Sequence, residues 1–230
     1  MLSLQQVRYQ IFNDVIVDNF NLVLQPGEVK TLFGPSGCGK TTVLRLISGL
    51  AKPKCGQISN RFHKLGFMFQ ENRLLNNLNA LENIRIFMTQ PDNQRIFNLA
   101  AEIGLHPDDL KKYPAELSGG MAKRVALLRL FLSDCDLALL DEPFVGLDRD
   151  LRNNLTAILA NRISERGLAC LLVTHDRFEA ARLSHEILLL SPKGMHVKQS
   201  IYLPEPLNQR DNRYEEEIVA NRFNGVVYYD

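Results

Sequence analysis

One stretch limits the folds open to this chain more than any other. It is Gly34-Pro35-Ser36-Gly37-Cys38-Gly39-Lys40-Thr41-Thr42, set between the apolar run Val29 to Phe33 and a segment of helical periodicity, Thr41 to Leu50. It satisfies G-x-x-x-x-G-K-[ST] in full, and a strand before and a helix after are the context that pattern requires. Glycines let backbone N–H groups curl around a polyphosphate without Cβ clashes. The helix that follows points its positive end at the same place. Lys40 adds a point charge near the outer phosphates, and the Thr41 hydroxyl is a ligand for Mg²⁺. Cys38, inside the loop, has two readings: a thiol made reactive by the helix end, or a small passive filler.

The rest of the chain agrees with a strand that feeds a helix. Residues 2 to 33 read as strands with a Pro26-Gly27 turn, and Leu65 to Phe69 is a further apolar strand. Leu78 to Met88, Gln94 to Ile103 and Gly119 to Leu132 have helical spacing, punctuated by Pro91, Gly104, Pro107 and Pro114. Strand and helix then alternate: Leu137 to Leu140, Arg149 to Arg166, Leu168 to Val173, Asp176 to Leu183, Ile187 to Leu190 and His196 to Tyr202. That order predicts an α/β fold with a mainly parallel sheet, interrupted by a helical insert.

Composition excludes more than it selects. Lys plus Arg total 27 against 26 Asp plus Glu, a net charge of +1, so no electrostatic partner such as nucleic acid or an anionic surface is indicated. The four cysteines show no C-x-x-C spacing and read as reduced thiols. Met1 to Gln10 lacks a secretory pattern, and the longest apolar stretches, such as Leu168 to Val173, have strand length, so the expected place is the cytosol.

Leu137 to Pro143, LALLDEP, is an apolar strand that ends in two acids. A strand edge holds Asp141 rigidly toward a Mg²⁺ shell, and Glu142 is placed to polarise a water that attacks a γ-phosphate. General-base help of this kind contributes about 10²–10⁴-fold. Acids at a strand end are commonplace; their pairing with the phosphate loop makes them catalytic candidates.

Leu117-Ser118-Gly119-Gly120-Met121, just before a helix, resembles the LSGGQ signature, and with the phosphate loop and DEP the chain resembles an ATP-binding cassette (ABC) ATPase over about residues 1 to 200. The resemblance implies a P-loop NTPase (RecA-like) core, about 1–70 and 133–202, that carries an N-terminal antiparallel β subdomain. It also implies a helical subdomain at about 71–132, so that 1–202 is the ATPase domain and 203–230 a C-terminal appendage. It implies a head-to-tail homodimer with ATP as substrate and Mg²⁺ as cofactor, in which Ser118, Gly119 and Gly120 complete the partner's site. By match to the family pattern, Gln70 contacts Mg²⁺ or water and senses the membrane partner, Asp148 links the two sites, and His175 meets the γ-phosphate. Phe12 is the first choice for stacking on adenine and Tyr9 the second. Met121 stands for the usual Gln, and Ala122-Lys123-Arg124 departs from the usual RQR. The short span from Thr41 to Gln70 implies a trimmed antiparallel strand.

FQENRLLNNLNALENI, residues 69 to 84, resembles the segment with which nitrate, sulfonate and taurine type importer cassettes grip their permease, although Asn76-Asn77 stand where that group often has Pro-Trp. With one cassette and no membrane span, the expectation is the ATPase subunit of a small-solute importer. It would be peripheral on the cytoplasmic face of the membrane, with separate permease subunits and a solute-binding protein outside. The alternatives are an exporter or lipid-transport cassette, and a soluble non-transport ABC ATPase.

Overall fold

The computed structural model describes residues 1–223. The chain opens with an antiparallel hairpin, β1 (Leu2–Ile11) and β2 (Asp14–Leu24), followed by β3 (Val29–Phe33) and α1 (Lys40–Ile47). β4 (Cys55–Asn60) and β5 (Leu65–Met68) precede three helices, α2 (Ala80–Arg85), α3 (Asn93–Glu102) and α4 (Gly119–Leu132). Then come β6 (Leu137–Asp141), α5 (Arg149–Arg166), β7 (Ala169–Thr174), α6 (Arg177–Leu183), β8 (Glu186–Leu190), β9 (Val197–Tyr202) and α7 (Asn212–Arg222).

Two sheets result. The larger has the order β5-β6-β7-β3-β8-β9, parallel throughout except for β9, which runs antiparallel to β8. The smaller is antiparallel, β2-β1-β4. A parallel bridge between Val17 and Met195 ties the two together. β6 and β7 are buried along their whole length. Leu137 and Leu139 pack with the small sheet and α1, while Ala138 and Leu140 pack with α2 to α5. A parallel strand covered on both faces must be apolar at every position, which is why these segments read as runs rather than alternations.

The structure departs from the sequence expectations at a few ends. α1 stops at Ile47 rather than Leu50, because the Ser48 hydroxyl donates to the Arg45 carbonyl and Gly49 turns left-handed at φ 76°. β4 has no counterpart in the sequence reading. It is an edge strand with only Ile58 half-buried, so it carries no hydrophobic alternation to recognise. The C-terminal appendage does hold a helix, α7, and its end beyond residue 223 lies outside the described residues. Arg210 and Phe223 clamp this segment to the core: Arg210 donates to the carbonyls of Ala181, Ser184, Leu203 and Glu205, and Phe223 meets Phe33 edge-on at 5.1 Å.

Candidate active site

β3 ends at the phosphate loop, and the loop's shape depends on glycine. Gly39 has φ 112°, and a Cβ there would stand 3.0 Å from the Ile16 carbonyl oxygen. Gly39 also caps α1, with no side chain bonded to the helix end and no acid in the first turn. The helix therefore presents free N–H groups and its positive end to an anion. Lys40 is buried, and its Nζ donates to the carbonyls of Gly34 at 2.7 Å and Pro35 at 2.8 Å, so the ammonium lies inside the curl of the loop. Burial pushes the Cys38 thiol up in spite of nearby Lys40, and its Sγ packs against Gly34. That is the passive filler of the two readings.

The acids stand opposite. Asp141 closes β6 and is buried; it accepts a hydrogen bond from Thr41 Oγ1 at 2.7 Å. Burial raises the Asp141 carboxyl, and the Thr41 hydroxyl opposes that rise. Among the described residues no three His, Cys, Asp or Glu side chains cluster to hold a metal by themselves. Mg²⁺ needs no such cluster, since one carboxylate and one hydroxyl suffice when substrate phosphates and water supply the other oxygens. Thr41 and Asp141 are a hard-oxygen pair that fits this requirement. Glu142 follows with φ 49°, left-handed for a residue with a Cβ, a conformation that costs about 1–3 kcal/mol. Its N–H donates to the Val173 carbonyl at 2.9 Å, and its Oε1 lies 3.2 Å from His175 Nδ1. Ser36, Lys40, Thr41, Gln70, Asp141 and Glu142 line one cleft of about 440 Å³, with Ile11 and Ile16 on its wall.

His175 follows β7 on a braced turn. Thr174 Oγ1 donates to Glu179 at 2.6 Å and accepts from the Asp176 N–H at 3.0 Å. Arg152, on α5, donates to Asp176 at 2.7 Å and to the Leu147 carbonyl at 3.2 Å, so it staples the His175 turn to the turn before Asp148.

Not every predicted residue joins this cleft. Gly119 and Gly120 line a second one, with Gln70, Asn72, Lys123 and Val145. Ser118 caps α4 by accepting from the Met121 N–H, and Asp148 caps α5 by accepting from the Leu151 N–H. Phe12 sits at the tip of the β1–β2 hairpin, 93% exposed, beside Ile11 of the cleft wall. Tyr9 is half-buried against the core under the small sheet. The flat free ring is thus that of Phe12.

Sequence reasoning missed Lys123, Arg129, Arg152 and Glu179. The first two leave a readable signal, cations inside a helix that is otherwise apolar nearly all round. Arg129 donates to the carbonyls of Arg73 and Asn72, which fixes the chain just after Gln70. Buried Asn83 does the same for the next loop, through the carbonyls of Leu75, Leu78 and Asn79.

Comparison with known proteins leads to the same place. The family model described as ABC transporter matches residues 17–145. A protein of Rhodococcus jostii (strain RHA1) named aliphatic sulfonates import ATP-binding protein SsuB 1 is 38% identical over 226 residues, 95% of this chain and 91% of its own. The Bacillus subtilis (strain 168) protein named aliphatic sulfonates import ATP-binding protein SsuB is 36% identical over 208 residues, 85% of this chain and 81% of its own. A solved dimeric ATP-binding cassette in a post-hydrolysis state, bound to ADP and Pi, matches 89% of this chain and 100% of that one with a TM-score of 0.77 at 28% identity. Another, described as the ATP binding subunit of an ABC transporter, covers 96% of this chain with a TM-score of 0.80 at 23% identity, and it speaks for the fold alone. With the phosphate loop, the paired acids and the serine–glycine helix cap each in place, the chain belongs to the ABC transporter family as an ATP-binding cassette.

Proposed function

We propose that this chain is the ATP-hydrolysing subunit of an importer, working through a separate membrane permease. The observation that carries the hydrolytic part is the pairing of Thr41 with Asp141 in the cleft beneath the phosphate loop, with Glu142 in the same cleft and His175 at 3.2 Å from its carboxylate. The import part is supported by relatives named as import ATP-binding proteins over most of the chain. Among the described residues no helix is long and apolar enough to cross a membrane, which suits a subunit peripheral on the cytoplasmic face.

The residues divide the work. The N–H groups from Gly34 to Thr42 and the Lys40 ammonium bind the phosphates, and Phe12 stacks on adenine. Thr41, Asp141 and Gln70 would hold Mg²⁺, which would supply positive charge against the phosphates. Glu142 accepts a proton from the attacking water. His175 fixes the carboxylate at 3.2 Å and reaches toward the γ-phosphate. Ser118, Gly119 and Gly120, set apart from this cleft, act on the ATP of a second copy, and Asp148 lies where the two copies meet. Residues 1–202 form the ATPase unit, with 203–230 appended. The surface from Arg73 to Asn83, ordered by Arg129 and Asn83, takes up the permease. A solute-binding protein outside the membrane would select the cargo, and the relatives' names put aliphatic sulfonates first to try.

The test is capture of the chain from its native membranes in mild detergent, with mass spectrometry of what accompanies it. A polytopic permease is the expected companion, and vesicles made with it should take up solute only with ATP and Mg²⁺. Capture of soluble proteins alone would overturn the transport reading.

A further inference from the structure

We propose that Lys123 is a positioning residue for hydrolysis: it holds the backbone of Glu142, and it makes that hold depend on the pose of α4. The proposal rests on Glu142 being the hydrolytic carboxylate.

Lys123 is one of three departures, with Met121 and Ala122, from the LSGGQ and RQR pattern, and its surroundings give it a task. The side chain is 7% exposed. Its one hydrogen bond among the described residues runs from Nζ to the main-chain carbonyl of Glu142, at 3.0 Å. A buried ammonium is expensive unless its surroundings compensate it. Asp141, Glu142 and Glu179 supply favourable charge, while burial is the largest influence and works against the charged form.

What the ammonium grips is a strained point. Glu142 is left-handed at φ 49°, and its N–H is fixed to Val173 on β7. A residue in that region persists only where its surroundings over-determine it. Lys123 supplies the second anchor, on the carbonyl side of the same residue. With both peptide groups pinned, the carboxylate has its origin fixed and is aimed at His175.

The direction of the grip matters as much. Lys123 lies one turn along α4 from Gly119 and Gly120, and it lines the same cleft as they do. Arg129, further along α4, holds the carbonyls of Asn72 and Arg73. One helix thus carries two cations, each tied to the chain beside a hydrolytic side chain, Glu142 for one and Gln70 for the other. A shift of α4 against the sheet is transmitted to the chain's own carboxylate through Lys123.

The experiment uses the full chain and compares Lys123→Met, Lys123→Gln and Glu142→Gln. Met keeps the buried stem and removes the donor; Gln restores a shorter N–H donor. Expected for Lys123→Met is a fall in kcat of about 10- to 100-fold, the scale of an ångström-level misplacement, with KM for ATP within about twofold. Lys123→Gln should recover part of the loss. In the Glu142→Gln background, Lys123→Met should change residual turnover less than about twofold, since it acts through that carboxylate. A fully active Lys123→Met beside an inactive Glu142→Gln would overturn the positioning role alone. A multiplicative loss in the double variant would overturn it too. A fully active Glu142→Gln would remove the assignment of Glu142, and the role of Lys123 with it.

Discussion

Glu179 behind the His175 turn makes the fold's stability depend on pH in a way that can be worked out. Its side chain is 4% exposed, and burial raises its carboxyl from 4.5 to about 7 in spite of the Thr174 hydrogen bond. Asp176 adds to the rise; Arg152, at 3.8 Å, and His175 oppose it. The sign follows from proton binding. Between pH 4.5 and 7 the folded chain holds a proton here that the unfolded chain has lost, so stability falls as pH rises. The contribution is whole below about pH 4.5 and gone above about pH 7. At about 1.4 kcal/mol per pH unit, that gap amounts to roughly 3 kcal/mol. Glu179→Gln keeps an acceptor for the Thr174 hydroxyl and cannot ionise. Its stability relative to the parent chain should therefore improve by about 3 kcal/mol between pH 5 and pH 8, a relative Tm gain of roughly 6–12 °C for a chain of this size. Urea or thermal unfolding of both proteins at the two pH values reads this directly, and groups common to both cancel in the difference. A stability difference that is the same at pH 5 and pH 8 would refute the reasoning.

Other expectations follow from the same geometry. Phe12→Ala should weaken ATP binding about 2- to 12-fold, the worth of about 0.5–1.5 kcal/mol of stacking, without moving the Tm of the nucleotide-free chain, because the ring is 93% exposed; titration calorimetry checks the first and a thermal scan the second. Gly39→Ala should abolish nucleotide binding and lower stability by about 1–3 kcal/mol, since its φ of 112° and the Ile16 carbonyl leave no place for a Cβ. Arg210→Ala should lower Tm by about 6–12 °C by stripping the buried carbonyls of Ala181, Ser184 and Leu203 of their donor, a loss of at least about 3 kcal/mol.

Much of this fold is legible in the sequence where local chemistry decides it. α4 and α5 begin and end where the sequence places them, because Ser118 and Asp148 are capping residues and Gly167 ends α5 left-handed. The central strands are legible as apolar runs because both their faces are covered. β4 is not legible, since an exposed edge strand selects for backbone pairing rather than for side chains. At the site, the phosphate loop and the Asp141-Glu142 pair follow from spacing. The exposure of the two candidate rings does not: Phe12, the first choice by position, lies in the open and Tyr9 half-buried because of the register of β1 on β2. Lys123 is legible only as a cation inside an apolar helix, and its partner is not, because Lys123 and Arg152 act on a carbonyl and a turn about twenty residues away. Glu179 is hidden because an acid at the start of a helix reads as an ordinary surface residue.

The proposed ATP site is composite, with loop and acids from one copy and Ser118, Gly119 and Gly120 from another. Sedimentation of Glu142→Gln with ATP and Mg²⁺ tests it most directly. Two copies should associate with ATP, revert to one with ADP, and stay single when Ser118→Arg is added. An ATP-bound chain that remains single, or a Ser118→Arg chain that still pairs, would contradict the account.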